Sequence, residues 1–161
     1  VTGIMVTHGH WDHIRALREL ESLTDAITYA GSADAEAIRA QENFTIENEL
    51  NGGEVFDFYD TELQVRAISV PGHTPGSIVY SVQTTWEDGS PATLLFTGDA
   101  LFPGGVGKTD SPAQFGELFS NVLEKLFGNF DDEAIVLPGH GRSTTLGTER
   151  PHLEEWGSRG W

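Results

Sequence analysis

Hydrophobic and polar positions along the chain follow strand-like spacing in some segments and helical spacing in others. This mixture predicts an α/β (α+β) protein. Gly- and Pro-containing turns separate the short apolar runs that are typical of strands. Strands are predicted at Val1–Thr7, Ala26–Ala30, Glu54–Tyr59, Leu63–Val70, Ser77–Val82, Thr93–Thr97 and Ala134–Leu137. The 161 residues contain no repeat and no low-complexity linker, so we expect a single domain over residues 1–161.

Helical periodicity predicts three helices. Apolar residues recur every three residues over Trp11–Leu23, which indicates one helix there. Ser32 is the expected N-cap of a second helix ending near Gln41, with Asp34 in the first turn, where its charge favours the helix dipole. The clearest helix covers Pro112–Phe127, because a wide apolar stripe runs along one of its faces.

Composition narrows the possible chemistry and partners. The formal net charge of −16, from 25 acidic and 9 basic residues, argues against a nucleic-acid partner. No apolar run is long enough to cross a bilayer, so no membrane partner is expected. The chain has no cysteine, which excludes disulfides, thiolate metal sites and a cysteine nucleophile. Any bound metal must therefore be held by nitrogen and oxygen atoms.

The N-terminal segment V-T-G-I-M-V lacks the basic start and cleavage site of a signal peptide. It is instead typical of a buried strand, and we expect a cytoplasmic location. Because a domain rarely begins inside its core, we also expect that further residues precede Val1 in the full-length protein. If the chain does begin at Val1, an incomplete sheet would leave an open edge, and a homodimer that pairs those edges is expected.

Four short motifs share one pattern, in which an apolar strand is followed by a small or glycine-containing turn and then by a possible metal ligand. Strand ends hold the backbone firmly, and glycine lets it approach a bound ion closely. Several strand ends at one edge of a sheet sandwich can therefore build a rigid, open metal site. The motifs are I-M-V-T-H-G-H-W-D-H, I-S-V-P-G-H-T, L-L-F-T-G-D and A-I-V-L-P-G-H-G.

The first motif carries the most information, because three histidines and an aspartate within six residues have little structural use. His8 and His10 are two residues apart, so both point to the same side of an extended segment. Asp12 and His13 follow at the start of the predicted helix and point in another direction. One compact loop can thus feed two adjacent ions. Imidazole and carboxylate ligands without thiolate suit zinc, iron or manganese in a catalytic site.

The other three motifs contribute His73, Asp99 and His140. Each motif alone is more often a turn than a ligand site. Together, and in this order after the first motif, they indicate a dinuclear metal site. His152 lies outside the pattern and is predicted to be a surface or packing residue.

These motifs resemble the metallo-β-lactamase superfamily over nearly the whole chain, and within it the glyoxalase II-like (hydroxyacylglutathione hydrolase-like) branch with its short bacterial members. The resemblance implies an αββα sandwich with the metal site at one edge of two β-sheets. It also implies a first ion bound by His8, His10 and His73, and a second bound by Asp12, His13 and His140. Asp99 would bridge two divalent ions, most often zinc.

The stretch T-G-D-A-L-F-P-G-G-V-G-K-T-D resembles thioester hydrolases of the glyoxalase II type and the related persulfide dioxygenases. By this resemblance, Lys108 binds the carboxylate end of the substrate. The chain departs from glyoxalase II in having Asp110 where that family has a tyrosine. Moreover, only 21 residues follow His140, too few for the helical domain that completes the glutathione pocket. Another low-molecular-weight thiol could therefore replace glutathione.

The expected reaction is hydrolysis of a small-molecule thioester by a metal-bridging hydroxide. Asp99 would hold the two ions at a bridging distance, and Asp12 would also orient the nucleophile. One alternative is a mononuclear iron dioxygenase acting on a thiol persulfide, with His8, His73 and Asp99 as its ligands and the second position empty. Another alternative is a metal-binding homologue without catalytic activity.

Overall fold

The computed structural model describes residues 1–57 and 63–160, whose strands form two sheets and a short hairpin. The smaller sheet is parallel and consists of β1 (Gly3–Met5), β2 (Ile27–Gly31) and β3 (Asn48–Leu50), in that order. The larger sheet contains β4 (Val55–Asp57), β5 (Gln64–Ser69), β6 (Ile78–Thr85), β7 (Pro91–Gly98), β10 (Ile135–Pro138) and β11 (Thr144–Thr145). Its strand order is β11-β10-β7-β6-β5-β4. The hairpin pairs β8 (Leu101–Phe102) with β9 (Gly105–Val106).

Helices lie on the outer side of each sheet. The structure contains α1 (Trp11–Ile14), α2 (Leu17–Thr24), α3 (Ser32–Glu42), α4 (Pro112–Val122), α5 (Leu146–Glu149) and α6 (Leu153–Arg159). A π-helical segment, Leu123–Phe127, directly continues α4, and a 3₁₀ turn, Arg150–His152, joins α5 to α6.

Three buried clusters show that the layers are helix, sheet, sheet and helix. Between the two sheets lie apolar side chains of both: Leu50, Val65, Ala67, Ile78, Tyr80 and Val82, with Met5 and Tyr29 packed against them. One outer cluster joins the small sheet to α1–α3: Val6, Ile14, Leu17, Ala30, Ile38 and Ile46. The other joins the large sheet to α4, its π-helical continuation and α6, and includes Val79, Leu95, Leu118, Val122, Leu126, Val136 and Trp156. The predicted αββα sandwich is confirmed.

Two hydrogen bonds tie the small sheet to the large one beside the end of β1. The Tyr80 hydroxyl donates to the Val6 carbonyl at 2.9 Å, in a buried position. The Ile78 amide donates to the Thr7 carbonyl at 2.8 Å. Because β6 is antiparallel to both β5 and β7, and β10 is parallel to β7, the carboxyl ends of β5, β7 and β10 lie at one edge. The chain leaving β1 reaches the same edge.

The structure differs from the sequence prediction in the first two helices. The predicted helix Trp11–Leu23 is two helices, α1 and α2, because the backbone turns at Ala16 (φ −100°, ψ −2°). After this turn the apolar stripe is no longer aligned, and Leu20 is 40% exposed. Ser32 is not the N-cap of α3. Gly31 takes that position, and the Ser32 hydroxyl donates to the Asn51 amide oxygen at 2.8 Å.

The remaining predicted elements are present with shifted bounds. The helix Pro112–Phe127 is confirmed, with its last five residues in π-helical form and Ser111 as its N-cap. The predicted strand Glu54–Tyr59 is observed as β4, and residues 58 and 59 lie outside the described residues. Among the described residues, no helix is long and apolar enough to cross a membrane.

The burial of Trp156 makes α6 a stability determinant of the outer helical layer. Its side chain is 2% exposed and packs edge-to-face on Phe127, with ring centroids 6.4 Å apart. We expect Trp156→Ala to lower the free energy of unfolding by about 3–5 kcal/mol, because it leaves a large cavity. Trp86, which is 50% exposed, is the matched control, and Trp86→Ala should change stability by less than about 0.5 kcal/mol. Denaturant unfolding followed by circular dichroism measures both, and equal effects would contradict this account of the core.

Candidate metal centre

Four turns at one edge of the sandwich bring the predicted ligands together. His8 follows β1, His73 follows β5, Asp99 follows β7 and His140 follows β10. His10 is the N-cap residue of α1, and the helix itself carries the last two predicted ligands, Asp12 and His13. Residues far apart in the sequence thus meet where their strands end.

The first group of nitrogen atoms belongs to His8, His10 and His73. His10 Nδ1 lies 3.1 Å from His8 Nε2 and 3.0 Å from His73 Nε2. The rings meet edge-to-face, with His10 and His73 centroids 4.6 Å apart. The short distances between these three nitrogens show that they converge on one point.

The second group consists of Asp12, His13 and His140. His13 Nε2 and His140 Nε2 are 3.0 Å apart, and His140 Nε2 lies 3.1 Å from Asp12 Oδ2. The Asp12 and His140 side chains are about half exposed, at 48% and 53%. Both groups thus reach solvent, through His10 in the first and through Asp12 and His140 in the second, whereas His8 is 1% exposed and the His13 side chain 12%.

Asp99 lies between the two groups. Its Oδ1 is 3.4 Å from His13 Nε2, and its Oδ2 is 3.7 Å from His73 Nε2 and 3.8 Å from His140 Nε2. Within the described part of the chain, buried Oδ1 has no hydrogen-bond partner. A buried carboxylate oxygen without a partner is costly, which is expected where a cation completes its environment.

Hydrogen bonding and burial keep two of the imidazoles suited to bind a cation. His73 Nδ1 lies 2.7 Å from the Lys108 carbonyl oxygen, and since a carbonyl only accepts, Nδ1–H donates. This contact directs Nε2 toward the cluster, as in metal sites whose ligands are oriented by backbone carbonyls. Burial, and then the neighbouring His13, His73 and His10, lower the pKa of His8 to about 3. His8 is thus a neutral donor at physiological pH.

The donor set fits divalent metal ions. Two nitrogens that bind one tetrahedral zinc at about 2.0–2.1 Å lie about 3.3 Å apart, close to the separations observed in both groups. Three sets of ligand atoms each lie within 4.8 Å of one another: His8, His10 and His73; His8, His13 and Asp99; and Asp12, His13 and His140. The structure therefore brings all seven predicted ligands together, and their individual roles as ligands remain predictions.

Asp34 is a site residue that the sequence analysis missed. It is 3% exposed, and its carboxylate accepts hydrogen bonds from two ligand-bearing loops. Oδ2 accepts from the Gly9 amide at 2.8 Å and from the Thr74 hydroxyl at 2.7 Å, and Oδ1 accepts from the Gly76 amide at 2.7 Å. The residue was expected only to favour the dipole of α3. Instead it clamps the loop of His8 and His10 to the loop of His73.

Glycine permits the close packing around this clamp and beside the second group. A Cβ at Gly76 would lie 2.5 Å from the Asp34 amide nitrogen and 2.7 Å from its carboxyl carbon. A Cβ at Gly139 would lie 2.5 Å from the His13 ring and 2.6 Å from Asp99 Oδ1. Both contacts are shorter than side chains tolerate, so the two loops approach the cluster only because they carry glycine there.

Besides the contact of its carbonyl with His73, Lys108 also borders a cavity next to the cluster. Its side chain lines a cavity of about 270 Å³ together with Phe115, Trp156 and Arg159. Arg159, in α6, donates to the Gly104 carbonyl at 3.1 Å. The predicted substrate-binding lysine is thus accompanied by a second cation that the sequence analysis did not identify. His152, by contrast, is 55% exposed and lies 3.8 Å from Glu155, consistent with a surface residue.

The fold and the cluster agree with comparisons to known proteins. The sequence profile of the metallo-beta-lactamase superfamily matches residues 1–140, and this chain belongs to that superfamily. Its members bind divalent metal ions, in accordance with the histidine and aspartate groups described above.

Three similar proteins illustrate the range within the superfamily. The hydroxyacylglutathione hydrolase GloC of Haemophilus influenzae is 30% identical over 91% of this chain and 72% of its own length. The probable metallo-hydrolase YqgX of Bacillus subtilis is 31% identical over the same shares. The crystal structure of TTHA1623 in a di-iron-bound form is 30% identical with a TM-score of 0.65, over 92% of this chain and 74% of that one. The predicted glyoxalase II-like resemblance is confirmed.

Removal of the Asp34 negative charge should weaken metal binding. Asp34→Asn keeps the size of the side chain but places an NH₂ group among three donors, so the two loops lose their common acceptor. We expect metal affinity to fall by about 10–100-fold, as when groups that orient metal ligands are changed. Competition with a chromophoric chelator measures this affinity.

Asp25→Asn is the control for this variant, because Asp25 is exposed and has a left-handed backbone (φ 51°) that asparagine also accepts. Its metal affinity should equal that of the unmodified protein. Thermal unfolding of the metal-free proteins shows separately how far each change affects the fold. Unchanged metal affinity in Asp34→Asn would contradict the clamp.

Proposed function

We propose that this protein is a metal-dependent hydrolase that cleaves a thioester of a low-molecular-weight thiol, with two divalent ions, most often zinc, in the cluster. The observation that carries the proposal is the position of Asp99 between two ligand groups, within 3.4–3.8 Å of nitrogens from both. A mononuclear site would not need the second group, Asp12, His13 and His140. The similarity to GloC, named a hydroxyacylglutathione hydrolase, supports thioester cleavage.

Ions held by these residues would lower the pKa of a bound water and polarise the substrate carbonyl. The protein's part is to hold the ligand-bearing loops together and to orient their side chains. Asp34 keeps the first two loops together, and the Lys108 carbonyl fixes the His73 ring. Asp12, half exposed beside His140, lies where it can orient the attacking water as well as bind a metal. A thiolate leaves readily, so hydrolysis needs no dedicated general acid.

The chemistry of the cavity next to the cluster is an argument for a substrate with an anionic tail. Gly107 and Lys108 form part of its wall, and a Cβ at Gly107 would lie 3.4 Å from His73 Nδ1, so the cavity begins one backbone segment away from a ligand. Lys108 and Arg159 supply two cations, and Phe115 and Trp156 supply apolar surface. This chemistry suits a thiol carrier that ends in a carboxylate.

Loss of the Asp99 carboxylate should prevent the binding of two metal ions per chain and should abolish hydrolysis. For Asp99→Ala we expect fewer than two metal ions per chain and a fall in kcat/KM for thioesters beyond the ~100-fold typical of indirect ligand effects. Metal analysis of the purified protein and a thiol-release assay over a small thioester panel measure these changes. His152→Ala, at a surface histidine outside the cluster, should leave both unchanged.

The same measurements separate the alternatives. If the protein bound one iron per chain and consumed oxygen when given a persulfide, the assignment as a hydrolase would be replaced by that of a dioxygenase. Two bound ions without turnover of any substrate would indicate a non-catalytic homologue. Full thioester turnover by metal-poor Asp99→Ala would overturn the mechanism itself.

Substitution of the two cavity cations should change KM and leave the metal centre intact. Lys108→Ala retains the backbone carbonyl that holds His73, so metal content should stay normal. We expect Lys108→Ala and Arg159→Ala each to raise KM about 10-fold for a thioester with a carboxylate tail, because each removes a charge-assisted contact. A neutral thioester should show no change. Arg39→Ala, at a surface arginine paired with Glu36, is the control, and a uniform loss for both substrates would refute the assignment.

A further inference from the structure

A second cavity, of about 600 Å³, lies between the larger sheet and the segment that follows α4. Its walls come from the turn before β4, from β5 and β6, and from the π-helical segment and the loop after it. The volume is in the range of small-molecule sites. None of the lining residues belongs to the metal centre or to the cavity of Lys108.

The charge of this cavity is opposite to that of the protein. Its lining contains Arg66 and Lys125 and, among the described residues, no carboxylate. The whole chain has 25 acidic residues against 9 basic ones, so two cations in a described lining that has no carboxylate form a local exception. The polar part of the lining includes four residues with amide side chains: Asn51, Gln64, Gln83 and Asn129. Phe130 and Ile68 add apolar area.

Both cations have donors available for a ligand. The Lys125 ammonium donates to the Ser69 carbonyl at 2.6 Å, which uses one of its three hydrogens. For Arg66, the described part of the chain provides no hydrogen bond or ion pair to the guanidinium. Of the carboxylates at β4, Glu54 accepts from two backbone amides and Asp57 accepts from Gln64, and among the described residues neither forms an ion pair with Arg66.

The backbone around Lys125 departs from the regular α-helical form. Lys125 lies in the middle of the π-helical segment, where the Gly128 amide donates to the Leu123 carbonyl at 2.9 Å. Such π-turns occur at the C-terminal ends of helices, as here at the end of the helix that begins with α4. Here the π-turn brings Lys125 to the edge of β5. Arg66 is three residues before Ser69 on that strand, so its backbone lies about 10 Å from the residue whose carbonyl Lys125 contacts.

From this arrangement we propose that the cavity binds a small molecule that carries a phosphate group, held between Arg66 and Lys125. Arginine matches phosphate through paired N–H donors, and lysine adds a second charge. The amide side chains and Phe130 contact the rest of the ligand. Binding here is independent of the metal centre and of its reaction.

Phosphate also binds metal ions, so the experiment must show where on the protein the phosphate is bound. We expect a titration of the metal-loaded protein with inorganic phosphate, followed by amide NMR signals, to shift residues of β5 and of the π-helical segment. Arg66→Gln should weaken this binding by about 10-fold, because it removes a charge-assisted contact from an exposed side chain that the fold does not need. Arg39→Gln removes the same charge elsewhere and is the control.

The outcomes separate the proposal from its alternatives. Phosphate shifts confined to the loops of His8 and His140, and insensitive to Arg66→Gln, would place the ion at the metal centre and overturn the proposal. Equal weakening by Arg66→Gln and Arg39→Gln would show general electrostatics only, and would also overturn it. Because the readout is binding and not thioester turnover, failure of the hydrolase assignment would leave this result unaffected.

Discussion

Five imidazole rings and two carboxylates share a small volume at the edge of the sandwich, with ring nitrogens about 3 Å apart in both groups. Protonation cannot relieve this crowding at His8, whose pKa is lowered to about 3 by burial and by its histidine neighbours. Burial also lowers the pKa of His13. Two neutral nitrogens at this distance either share a proton in an N–H···N hydrogen bond or bind a cation together. Asp99 Oδ1, which has no hydrogen-bond partner among the described residues, is the feature beside them that favours a cation.

The fold meets this constraint by using strand ends as fixed supports. Three strands of the larger sheet end at the same edge, and the hydrogen bonds from Tyr80 and Ile78 bring the chain leaving β1 to the same place. Asp34 then sets the spacing between the loop of His8 and His10 and the loop of His73. The predicted ligands are thus positioned by backbone and buried side chains, and His10, Asp12 and His140 are the ones exposed to solvent.

Much of this was predictable from the sequence, because the informative signals are local. Seven strands and the main helix follow from periodicity, and the first motif places four ligands within six residues. The strand β3 was missed because three residues carry no periodicity, and it forms by pairing with β2. Asp34 and Arg159 were missed for a different reason. Their roles depend on contacts with residues 25 to 55 positions away, which no local pattern records.

The span of the site along the chain has a consequence for folding. His13 and His140 are 127 residues apart in sequence and 3.0 Å apart in space. Closing so long a loop is entropically costly, so contacts of this kind form late, after the sheets have docked. A nascent chain can offer a metal ion only the adjacent residues of the first motif. Completion of the second group therefore requires that the two ends of the chain have already come together, and a metal ion bound there would mark molecules that have finished folding.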